Sequence, residues 1–155
     1  MSPARIELYR LERDGGFVFH GSGEDLDVLD PRQAHNVKDG KSVDDGPPAV
    51  FAAKAADYAV FMAVFSKRNC PLGRHTRIAS WSFRDGDYRL VFQASPNTLS
   101  QIDERSYGWV YIFPKEGFYQ REPGGLEYTN RKAVKPIKKI RVERADILGK
   151  IDAMG

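Results

Sequence analysis

Arg77-Ile-Ala-Ser-Trp-Ser-Phe-Arg84, Asp85-Gly86 and Asp87-Tyr-Arg-Leu-Val-Phe-Gln-Ala94 make up the stretch that decides the fold. Asp-Gly is a favoured two-residue hairpin turn, because both positions accept positive φ. Folding about it sets Arg84 opposite Asp87, Phe83 opposite Tyr88, Trp81 opposite Leu90 and Ala79 opposite Phe92. The apolar residues then share one face and the charged pair matches too. A one-residue slip would spoil every match, so the register is well determined.

The flanking segments fit the same architecture. Residues 49–53 read as a short buried strand. Residues 55–68 read as the main helix, with Tyr58, Phe61, Met62 and Phe65 at i, i+3, i+4 and i+7 on one apolar stripe. Asp57 sits near its positive end and Lys67 and Arg68 near its negative end, and Pro71 and Gly73 stop it. On the amino-terminal side, residues 5–11 alternate with Ile6 and Leu8 on one face, which predicts a strand. Asp14-Gly15-Gly16 is a turn, and Phe17-Val-Phe-His20 is a second short strand. Residues 33–48 carry Gly40, Gly46, Pro47-Pro48 and several aspartates, and read as a long loop of functional or mobile character. Beyond the hairpin, residues 96–104 predict a short helix or turn. Residues 109–114, 117–120, 126–130 and 134–143 predict strands, with Pro136 marking an edge or bulge. Residues 145–153 predict a closing helix. The pattern has no βαβ alternation and predicts an α+β fold on mostly antiparallel sheet.

The totals narrow the function classes. The 155 residues fit a single domain, residues 1–155, with a real core. The formal net charge of +3 permits an anionic partner without demanding one. Cys70 is the only cysteine, so no internal disulfide forms, and its post-helix turn marks a bystander thiol. Charges recur early at the amino terminus, and the most apolar stretch, residues 49–65, holds Lys54 and Asp57. A cytoplasmic protein with no membrane association is expected. No metal site is expected, because His20, His35 and His75 lie far apart with no ligand spacing. A phosphate-binding glycine fingerprint and a Gly-x-Ser-x-Gly elbow are both absent.

Three places carry candidate chemistry. His20 ends a strand and runs into Gly21-Ser22-Gly23, so a rigid element holds it beside an opening, and the glycines allow a ligand to approach the backbone. Glu127 opens a late strand after Gly124-Gly125, from which a carboxylate can point into a cleft. The basic run over residues 131–144 reads first as a charged edge strand guarding against aggregation, and second as a phosphate or nucleic-acid contact.

Taken in order, these segments resemble the ADP-ribosyltransferase-like superfamily, which includes diphtheria-toxin-like and poly-ADP-ribose-polymerase-like enzymes and, more distantly, the RNA 2'-phosphotransferases. His20-Gly21-Ser22 is similar to the first family motif. Val50-Phe51-Ala-Ala-Lys54 followed by Tyr58 to Phe65 is similar to the second. Leu126-Glu127-Tyr128-Thr129 with Val134-Lys135-Pro136-Ile137 downstream is similar to the third. The resemblance implies a split, mostly antiparallel sheet core that clamps NAD, here as substrate. It implies that His20 hydrogen-bonds a ribose hydroxyl and the Gly21 backbone grips the nicotinamide carboxamide, with Ser22 beside them. Phe51 and Phe61 would flank the nicotinamide ring, with Tyr58 supplying a hydroxyl or packing. Glu127 would stabilise the oxocarbenium-like charge as nicotinamide leaves. The chain departs from the family in having phenylalanine where tyrosine is common in the second motif. Gly125 stands where some members carry an acceptor-selecting Glu or Gln, so the acceptor, protein or nucleic acid, is open. Two other readings fit the same residues. One is a catalytically silent module on this fold that binds a nucleotide or partner. The other is a small nucleic-acid-binding α+β protein that uses Lys138, Lys139 and Arg141.

Overall fold

The computed structural model describes residues 2–72 and 76–154; Gly73 and His75, named above, lie outside them. The hairpin that decided the fold has the expected register. Strands β5 (Arg77–Arg84) and β6 (Asp87–Ala94) pair antiparallel with Arg84 opposite Asp87, Trp81 opposite Leu90 and Ala79 opposite Phe92. Asp85 and Gly86 take φ of 54° and 79°, as a turn matched to strand twist requires.

The architecture is α+β with mostly antiparallel sheet. The remaining elements are α1 (Pro3–Asp14), β1 (Phe17–Ser22), β2 (His35–Lys38), β3 (Lys41–Asp44), β4 (Val50–Ala53), α2 (Ala56–Val64), α3 (Pro96–Ser100), β7 (Tyr107–Pro114), β8 (Tyr119–Gln120), β9 (Glu127–Asn130), β10 (Lys138–Glu143) and β11 (Ile151–Ala153). A six-stranded sheet runs β10-β7-β1-β4-β9-β8, a three-stranded one β11-β6-β5, and β2 pairs with β3.

Three segments differ from the sequence expectation. Residues 5–11 lie in helix α1, not a strand. The Ser2 hydroxyl accepts from the Arg5 N–H at 3.1 Å, Pro3 fits the first turn and Gly15 ends the helix at φ 83°. Ala4, Leu8 and Leu11 then form its inward stripe. The long loop contains the β2–β3 hairpin, turned at Asp39 and Gly40 with φ of 52° and 75°. The carboxy-terminal segment is a 3-10 turn at Arg144–Asp146 and then β11, which pairs parallel with β6.

The core lies on both faces of the large sheet. One face holds Phe19, Val110, Ile112, Ile140 and Val142 under α2, with Phe61, Phe65 and Phe92 stacked beside them. The other holds Val18, Val50, Ala52, Tyr111, Phe113 and Tyr128. Helix α2 sits very close to the sheet at Gly21 and Gly108. A Cβ on Gly21 would fall 1.8 Å from the Ala59 carbonyl oxygen, and one on Gly108 would fall 2.2 Å from that of Ala63. The close approach anticipated at Gly21 is therefore made by a helix backbone. Arg5, almost fully buried, ties α1 to α2 through Asp57 and donates to the Asp146 carbonyl at 3.3 Å.

Candidate active site

Of the candidate residues, His20, Gly21, Ser22, Phe51 and Glu127 lie on three neighbouring strands, β1, β4 and β9, and Tyr58 and Phe61 lie on α2. Antiparallel ladders alternate the direction of their peptide groups. The Lys115 N–H donates to the Gly16 carbonyl, so alternate residues of β1 turn toward β7 and leave Phe17, Phe19 and Gly21 turned toward β4. On β4, the Lys54 N–H donates to the Leu126 carbonyl, which leaves the Ala53 and Phe51 peptides turned toward β1. The β1–β4 ladder consists of one pair, Phe19 with Ala53. Past that pair the Gly21 and Phe51 peptides face the space between two strands that no longer bridge.

His20 spans this break. Its Nδ1 lies 2.5 Å from the Phe51 carbonyl oxygen. A carbonyl only accepts, so Nδ1 carries the proton and Nε2 is left as an acceptor. Burial holds the His20 pKa below its ordinary 6.5, the Phe51 contact opposes that shift, and the positive charges of Arg32 and Arg77 add to it. The ring is thus neutral at neutral pH.

Glu127 sits opposite Ala53 on the α2 side of the sheet. Its Oε1 accepts from the Tyr58 hydroxyl at 3.2 Å, and its Oε2 accepts from Arg121 Nη1 at 3.1 Å. Tyr58 stands in the first turn of α2. Burial first, and then the Glu127 charge and hydrogen bond, push its pKa up to about 12, so it stays a donor. Arg121 also pairs with Asp45 beyond the β2–β3 hairpin, and its guanidinium lies 5.6 Å from the Phe51 ring centroid. A cavity of about 230 Å³ opens here, lined by Trp81, Arg121, Glu122, Gly125 and Glu127. Its Trp81 wall is set edge-on to Tyr88, whose hydroxyl donates to the Gly124 carbonyl at 2.9 Å. Arg77 caps the end of α2 through the Met62 and Phe65 carbonyls at 2.7 and 2.6 Å. Burial pulls its pKa down to about 10.

The structure brings together Glu127, Tyr58 and the Phe51 ring, the last through Arg121, and ties His20 to the Phe51 backbone. It does not bring Phe61 to the cleft. That ring is fully buried and stacked on Phe65 at 4.8 Å and Phe92 at 4.6 Å. The Ser22 hydroxyl accepts from the Glu24 N–H at 3.1 Å and closes the turn. Arg121 and Asp45 were not foreseen. Counting back across Gly124-Gly125 sets Arg121 opposite Glu127, an opposite-charge cross-strand pair that was available as a signal. Asp45 carried no such signal. No family model, curated protein or solved structure matches the chain.

A carboxylate, a neutral imidazole acceptor, aromatic rings and an unbridged peptide edge are the groups on hand. They do not all share one face: Glu127 is on the α2 side of the sheet, whereas His20, paired with Tyr111, is on the other, and none of His20, Gly21 and Phe51 lines the cavity beside Glu127.

Proposed function

We propose that the protein is an NAD-dependent mono-ADP-ribosyltransferase-like enzyme, acting in the cytoplasm, that cleaves the bond between nicotinamide and ribose and passes ADP-ribose to a macromolecular acceptor. The observation that carries the reading is the meeting of three strands. The β1–β4 ladder stops at the Phe19–Ala53 pair, His20 reaches across the break to the Phe51 carbonyl, and Glu127 borders a cavity one strand further on. The Gly21 peptide offers a donor and an acceptor to the carboxamide. Phe51 offers the ring face, since Phe61 is committed to the core. His20 Nε2 accepts from a ribose hydroxyl. Glu127, held by Tyr58, stabilises the positive charge that grows on the ribose as the bond breaks. Among the described residues no helix is long and apolar enough to cross a membrane.

One observation favours a second reading. Both Glu127 oxygens are engaged, one by a guanidinium. A binding module that keeps the cleft without turnover would look the same. Nicotinamide release from NAD, with thermal shift in parallel, separates the two. The enzyme reading expects release that falls about 100-fold or more in Glu127→Ala. The module reading expects a thermal shift with no release. Neither release nor shift ends both.

A further inference from the structure

The β7–β10 face turned away from α2 carries a set of aromatic and cationic side chains that the NAD reading does not use. Tyr107 and Trp109 stand two residues apart on β7, and Arg141 lies opposite Trp109. The guanidinium carbons of Arg68 and Arg141 lie 4.1 and 4.2 Å from the Tyr107 ring centroid. Arg68 is anchored there, donating from Nη1 to the Tyr107 hydroxyl and from Nη2 to its carbonyl, both at 2.9 Å. Its proximity lowers the Tyr107 pKa. The Lys139 ammonium lies 5.5 Å from the Trp109 ring. Arg68, Lys139 and Arg141 are exposed. Two carboxylates answer them, Asp25 on Lys139 and Glu143 on Arg141 at 2.8 Å. Arg68 has no carboxylate partner among the described residues. Lys138 does not belong to the set: it shares the opposite face with Ile112 and pairs with Glu7.

We propose that this face binds single-stranded nucleic acid. Aromatic rings and guanidinium planes are the two surfaces on which unpaired bases stack. Residues i and i+2 on a strand are about 6.6 Å apart, which separates two bases splayed from one chain. The cations border the rings, where phosphates linking those bases would run. An acidic peptide would use the charge but leave the stacked planes idle, and a duplex hides its base faces. The inference is independent of any NAD chemistry.

The test is fluorescence anisotropy of labelled oligo-dT and oligo-U of about 12 nucleotides, across a salt series, with a duplex and heparin as comparisons. Binding of at least one single strand is expected, tighter than the duplex. Its log–log salt slope should lie near −2, from three cations at about 0.7 each. Tyr107→Leu should weaken it about ten-fold, and Arg68→Gln with Arg141→Gln should weaken it and flatten the slope. Lys150→Gln, at the far β11 end, should leave it unchanged. Thermal melting of each variant checks that the fold survives. Should Tyr107→Leu unfold the chain, the arginine pair alone decides. The proposal is overturned by no binding, by equal affinity for duplex or heparin, or by binding that folded variants leave intact.

Discussion

The Tyr58 hydroxyl donates to Glu127 Oε1 at 3.2 Å, linking the first turn of α2 to the first residue of β9. Residues 69 positions apart in the chain are thereby made into one unit. Tyr58→Phe removes that donor and keeps the ring. Nicotinamide release should drop about ten-fold, while thermal stability falls by about 1 kcal/mol, the usual worth of one hydrogen bond. A stability loss with unchanged turnover would make Tyr58 a packing residue alone.

Arg121 holds the other oxygen, and it is only partly buried, as is its partner Asp45. Ion pairs of that exposure contribute about 1 kcal/mol or less. Arg121→Gln should therefore melt close to wild type. In the enzyme reading it keeps release within about ten-fold of wild type, since it leaves Glu127 its charge.

Phe61 is a core residue, so its removal should act on stability. Phe61→Ala should cost about 3–5 kcal/mol in denaturant unfolding, and Phe61→Leu distinctly less. Gly21→Ala should be as severe, because the new Cβ would strike the Ala59 carbonyl oxygen 1.8 Å away. A tolerated alanine at position 21 would refute the α2–β1 packing described above.

His20 supplies a pH test. Its folded pKa lies below the ordinary 6.5, chiefly through burial. Between the folded value and 6.5 the unfolded chain binds more protons, so stability rises with pH through that window. The contribution is present above 6.5 and is lost as pH falls through the folded value. Melting temperature measured from pH 7 to 4 should show this acid loss in wild type, and His20→Gln should remove its share. Identical profiles would mean that the His20 ring is solvated.

The Arg5–Asp57 pair is a double-mutant-cycle target. Arg5 is nearly fully buried, so Arg5→Met strands Asp57 and should cost about 3 kcal/mol. Adding Asp57→Asn should recover part of that loss, because no unpaired charge remains.

Legibility in the sequence followed locality. The β5–β6 register was readable because Asp85-Gly86 fixes the turn and every cross-strand pair then matches. Asp39-Gly40 carries the same turn chemistry and makes the β2–β3 hairpin, yet the polar residues around it gave no alternation to read. Residues 5–11 alternate as a strand would, but Ser2-Pro3 and Gly15 cap a helix whose inward stripe is Ala4, Leu8 and Leu11. Strand β11 has no local signature, since it exists only by pairing with the distant β6. At the site, Glu127 was visible as the residue that opens a strand and Phe51 came only from the resemblance, whereas His20, read as ending a strand, is followed by two more paired residues, Gly21 and Ser22. Their spatial order depended on β4 inserting between β1 and β9, which is a tertiary choice. The stripe Tyr58, Phe61, Met62, Phe65 was periodic as expected, but its phase decided that Tyr58 reaches Glu127 while Phe61 enters the core.

The role proposed for Glu127 is to stabilise charge on a ribose as nicotinamide departs. The most direct measurement is nicotinamide released from NAD by wild type and by Glu127→Gln, which removes the charge and nearly preserves shape. The account predicts release by wild type and a loss of about 100-fold or more in the variant, with a similar melting temperature and retained NAD-induced thermal shift. Equal release from the two proteins, or none from wild type despite NAD binding, would contradict it.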